Sequence, residues 1–86
     1  MDINDLIAII KKKLIKQINI ESIKIEDKSF LHKNHAGNQK GKFHLKISLI
    51  STELKAMNKI ESNKKIYKTL EKEMKDNIHS IQILIS

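Results

Sequence analysis

Four histidines and no cysteine define the chemistry open to this 86-residue chain. His32 and His35 fall in Ser29-Phe30-Leu31-His32-Lys33-Asn34-His35-Ala36-Gly37, a stretch holding one of only two glycines. His44 opens a strongly alternating segment, and His79 stands where a helical pattern gives way to a last alternating one. All four stand at the edges of segments, where side chains can reach a ligand. Neutral imidazole suits iron, zinc and copper. With no thiol in the chain, a soft-metal site must combine these imidazoles with thiolates borrowed from another molecule. No nucleophile stands at a recognisable spacing from a base, and no nucleotide-binding loop is present, so no enzymatic activity is expected.

The rest of the composition bounds the setting. Residues 1–86 are expected to form one small domain with a modest, Ile/Leu-built core. The net charge of +7 comes from 17 lysines without a single arginine. That charge leaves nucleic acid or an acidic partner surface open. The absence of arginine argues against base-specific readout, since arginine is the commonest bidentate reader of guanine. No apolar run approaches the length of a membrane span. The N-terminus carries Asp2 and Asp5 and lacks arginine, unlike a targeting peptide. A cytoplasmic monomer is the expectation.

Hydrophobic spacing supplies the elements that must position the histidines. Ile3, Leu6, Ile7, Ile10 and Leu14 make one stripe of a helix over residues 2–18, with Asp2 as its cap and Lys11, Lys12, Lys13 and Lys16 as a solvated C-terminal end. Residues 20–27 read as a strand with Ile23 and Ile25 on one face. A polar stretch, 28–41, follows; in a domain this small so long a loop is usually functional or mobile. Asp27, which ends the strand, and Ser29 are expected to shape the start of this loop by local hydrogen bonds. In the strand over 42–51, Phe43, Leu45, Ile47 and Leu49 point to the core and His44, Lys46 and Ser48 point outward, which gives His44 a structural or supporting role. An irregular segment runs through Met57. A second helix is expected over 61–76, capped by Ser62, with Ile66, Tyr67, Leu70 and Met74 inside, and a last strand over 79–85. The order αββαβ makes an α+β fold. A helical crossover makes the last two strands parallel, the first two are expected to be antiparallel, and the result is a three-stranded mixed sheet with helices on one face.

The pattern Asp27-x-Ser29-x-x-His32-x-x-His35-Ala36-Gly37, then Gly41-x-x-His44, then Ile78-His79-Ser80 resembles the BolA family over nearly the whole chain. The resemblance implies a fold akin to class II KH domains. It implies a monothiol glutaredoxin as partner and a 2Fe–2S cluster shared with it, glutaredoxin and glutathione supplying thiolates. It also implies which imidazoles this chain contributes: His79 before the last strand and His32 from the loop, with His35 a nearby substitute. Ser62-Asn63-Lys64 stands where the family often carries Arg-His-Arg, and Leu45 rather than phenylalanine follows His44. Iron–sulfur chemistry is compatible with this assignment, because histidine replaces cysteine on one iron of Rieske centres.

The rival reading is a nucleic-acid-binding transcriptional regulator with a KH-like fold. KH domains clamp a nucleic-acid backbone with a GXXG loop. Gly37 and Gly41 do not form that motif, and only Phe30, Phe43 and Tyr67 could stack on bases. A simple four-histidine metal binder finds no support in the spacing. A chain without thiolates should not retain a cluster. The isolated protein is therefore expected to be colourless and monomeric by absorbance-detected gel filtration; a 2Fe–2S spectrum retained without a partner would overturn this.

Overall fold

Three side chains one turn apart, Leu6, Ile10 and Leu14, are completely buried and fix the N-terminal helix against the sheet. In the computed structural model, which describes residues 2–29 and 42–86, this helix, α1, spans Ile3–Gln17. Asp2 holds the N-cap position but its side chain makes no capping hydrogen bond, contrary to the expected role. The remaining elements are β1 (Ser22–Asp27), β2 (Phe43–Ile50), a single-turn α2 (Thr52–Lys55), α3 (Lys59–Thr69), α4 (Glu71–Asp76) and β3 (Ile78–Ile85). The sheet order is β1-β2-β3, with β1 antiparallel and β3 parallel to the central β2. This is the expected αββαβ α+β arrangement.

Strand alternation places the core on one face. Ile25 of β1, Leu45, Ile47 and Leu49 of β2, and Ile78 at the start of β3 join Leu6, Ile10, Leu14, Leu54, Ile66 and Leu70 in one apolar cluster. Helices cover that face. The other face carries Lys24, Glu26, Lys46, Ser48 and Gln82, as period-two alternation requires.

The segment after β2 departs most from its sequence pattern. Residues 52–55 form a helical turn because Ser51, fully buried, caps it by accepting from the Leu54 N–H at 3.2 Å. The same Ser51 hydroxyl donates to the Asn19 carbonyl at 2.7 Å. Asn58, not Ser62, caps α3, its side chain accepting from the Glu61 N–H at 2.8 Å. Ser62 sits inside the helix, its hydroxyl donating to the Lys59 carbonyl at 3.0 Å. The helix expected to run to 76 is interrupted at Leu70 (φ −101°, ψ 19°). Tyr67, expected inside, is 40% exposed, because the residue next to buried Ile66 is rotated about 100° around the helix.

Two ion pairs tie the helices together. Lys13 on α1 donates to Glu73 on α4 at 2.6 Å, so this lysine is not simply part of a solvated helix end. Glu73 is buried, and its Oε1 has no hydrogen-bond partner among the described residues. Lys13 is therefore the charge that makes its burial tolerable. Glu53 accepts from Lys65 and from the Asn19 N–H, joining α2 to α3 and to the α1–β1 turn. The Lys65 hydrogen bond, then that of Asn19, lowers the Glu53 pKa below its ordinary value near 4.5.

A carboxyl with a depressed folded-state pKa stabilises above its unfolded value, and the contribution is lost as pH falls through the folded one. Glu53→Gln should therefore lower the urea midpoint at about pH 7 and leave it unchanged at about pH 2. Equal losses at both pH values in urea titrations would contradict the linkage.

Candidate functional site

One end of the sheet gathers two of the four histidines, and an irregularity in strand pairing brings them together. Along most of the parallel pair the register is even, from Leu45 opposite Ile81 to Leu49 opposite Ile85. It shifts between Phe43 and His44: Phe43 pairs with Ile78, whereas His44 pairs with Ser80. His79 is the extra residue, a β-bulge of the kind that re-aims a side chain at the end of a ladder. Ile78 and Ile81 can both face the core only because a residue has been inserted between them. His79 is exposed at the bulge, and Ser80 lies beside His44 on the solvent side of the sheet.

His44 does not behave as the outward-pointing residue that alternation predicts. It lies on the outer face, yet it is only 5% exposed. Neighbours cover it and satisfy it. Its backbone N–H donates to the Ser29 hydroxyl at 3.0 Å, and its carbonyl accepts from the Lys28 N–H at 2.7 Å. Its ring Nδ1 shares a hydrogen bond with Ser80 Oγ at 2.7 Å. The His79 ring packs against it with centroids 4.5 Å apart and planes inclined at 57°. That separation is typical of interacting aromatic rings. Ser29 is held in turn, its N–H donating to Asp27 Oδ1 at 2.9 Å, the local bonding expected of these two residues.

His79 thus stands exposed where it was expected, at the start of the last strand. His32 and His35 lie outside the described residues. Among the described residues, no group of three or more His, Cys, Asp or Glu is placed to hold a metal ion. The sequence reading missed the link between His44, Ser80 and His79, including a serine–histidine pair at hydrogen-bonding distance. A signal for it was present: Ile81, Ile83 and Ile85 recur every second residue, but Ile78 precedes Ile81 by three. The Ser80–His44 pair lies in neither of two surface grooves, one lined by Leu54, Met57 and Ile83 and the other by Lys13, Lys16, Lys65 and Lys68. It acts here as a pin between strands.

Comparison with known proteins decides the family. A model described as BolA-like protein matches residues 14–86. The chain belongs to the BolA-like family. This BolA-like chain is 28% identical over 75 residues to the DNA-binding transcriptional regulator BolA of Haemophilus influenzae, a match covering 87% of the chain and 70% of that protein. It is also 28% identical over 78 residues to Protein BOLA1, chloroplastic, of Arabidopsis thaliana, covering 86% of the chain and 48% of that longer protein. Among solved structures, the BolA domain of SufE1 from Arabidopsis thaliana superposes with a TM-score of 0.76 at 24% identity, covering 92% of this chain and 87% of that one. BolA1 from Mus musculus superposes with a TM-score of 0.71 at 19% identity, covering 90% and 60%. These two likenesses establish the fold. No described helix is long and apolar enough to cross a membrane.

The Ser29 hydroxyl is the acceptor for a half-buried main-chain donor at the root of the segment carrying His32. Ser29→Ala should cost about 1 kcal/mol in urea unfolding and speed amide exchange at His44. Unchanged exchange at that amide would show that the hydroxyl does not hold it.

Proposed function

We propose that this BolA-like chain is a non-enzymatic partner of a monothiol glutaredoxin, sharing a glutathione-ligated 2Fe–2S cluster as cargo in iron–sulfur trafficking or iron regulation. The observation that carries the reading is His79, an exposed imidazole at a bulge, backed by a buried histidine. The donor set fits a shared cluster better than a resident one. The chain has no thiolate, and its described residues offer no three-ligand group. Imidazole can replace thiolate on one iron, so the partner and glutathione would provide the sulfur ligands. His32 completes this chain's share, with His35 as the competing loop ligand. His32 follows Ser29 by three residues, a reach of about 10 Å at most.

Mixing the protein with a monothiol glutaredoxin, glutathione, iron and sulfide tests the reading. His79→Ala should abolish the mixed-ligand visible spectrum. His32→Ala should weaken or alter it while protein contact persists. An unchanged spectrum for His79→Ala would defeat the assignment, and a larger effect of His35→Ala than of His32→Ala would move the loop ligand to His35.

A second reading, nucleic-acid binding in a transcriptional regulator, is favoured by the name of the Haemophilus influenzae relative and by the lysine-lined groove between α1 and α3. Lysines without arginine or a GXXG loop would give weak, sequence-indifferent association driven by counterion release. In anisotropy titrations, duplex affinity should collapse as salt rises, equally for unrelated sequences. Tight binding to one sequence at physiological salt would instead make this the primary function.

A further inference from the structure

We infer that His44 is a positioning residue for His79: its buried ring, pinned by Ser80, fixes the direction in which the exposed imidazole is presented. The inference rests on the reading of His79 as the cluster ligand and adds a residue to that site.

Three observations carry it. A polar ring is buried on the outer sheet face, in the same row of β2 as partly exposed Lys46 and Ser48, where solvent could have hydrated it. Burial of such a group is costly unless it is hydrogen-bonded, and Ser80 Oγ meets its Nδ1 at 2.7 Å. The neighbouring main chain is held on both sides, by Ser29 at the N–H and by Lys28 at the carbonyl, so the ring has a fixed origin. Finally, the shift in register puts both the pin and the presented residue against one ring. Ser80 is the register partner of His44, and His79, the inserted residue before it, packs on that ring at 4.5 Å. An exposed side chain ordinarily changes rotamer in picoseconds to nanoseconds. Contact with an immobile ring removes part of that freedom before a partner arrives. Preorganising one side chain is worth roughly two- to tenfold in affinity.

The experiment uses the full chain and four variants: Ser80→Ala, His44→Leu, the double variant, and Gln82→Ala, which alters the next outward residue of β3. Three-bond couplings in the free protein report the χ1 rotamer of His79. Titration with cluster-loaded glutaredoxin and glutathione reports affinity. The wild type and Gln82→Ala should show one dominant His79 rotamer. Ser80→Ala and His44→Leu should show averaged couplings and about two- to tenfold weaker association. The double variant should be no worse than His44→Leu alone, because the serine acts through the ring. Unchanged couplings in both single variants overturn the inference, as does unchanged affinity where His79→Ala abolishes the spectrum. If His79→Ala leaves the spectrum intact, the cluster reading has failed, and the couplings still decide whether His44 sets the His79 ring.

Discussion

One inserted residue governs the end of the sheet where His44 and His79 meet. A parallel pair in even register would place Ile78 and Ile81 on opposite faces, and one of them would leave the core. The bulge at His79 lets both remain inside, and the residue spared from the ladder is the exposed imidazole. Packing of the core and presentation of the histidine are thus consequences of the same irregularity. The apolar positions Ile78, Leu45 and Ile81 enforce it, because slipping β3 to remove it would turn apolar side chains towards solvent.

The rest of the fold keeps that end rigid. β2 is paired on both sides, and His44 lies at its first turn of pairing. The Phe43 N–H donates to the Asn77 carbonyl at 2.9 Å, so the end of α4 is stitched to the start of β2 where the bulge begins. At the opposite end of the sheet, the Ser51 N–H donates to the Ser86 carbonyl at 3.1 Å and the Ser86 N–H donates to the Leu49 carbonyl at 2.9 Å. β3 is therefore fastened to β2 at both limits. Lys13–Glu73 and Lys65–Glu53 hold α4, α3 and α2 in place behind the sheet.

Much of this architecture is legible in the sequence because period decides it. The stripe Leu6, Ile10, Leu14 and the alternation from Phe43 to Leu49 each specify an element and its buried face. The helical crossover before β3 specifies a parallel pair. What escapes is decided by tertiary contact. The turn at Thr52–Lys55 is too short to carry a period, and buried Ser51 sustains it. Asn58 takes the cap from Ser62 because α3 begins two residues earlier than its apolar pattern suggests. His44 reads as outward by parity, yet Ser29, Ser80 and His79 cover it, and those partners are distant in sequence. The three-residue gap between Ile78 and Ile81 was the local trace of that arrangement.

The central claim is that an imidazole nitrogen of this chain, presented by the bulge, binds iron in a shared cluster. The most direct measurement labels only this protein's histidines with nitrogen-15 and forms the complex with unlabelled monothiol glutaredoxin and glutathione. Pulsed electron paramagnetic resonance is then recorded on the reduced cluster. The account predicts a strong nitrogen-15 hyperfine coupling that disappears in His79→Ala. A reduced cluster in the heterocomplex with no coupling to this chain's nitrogens would contradict it.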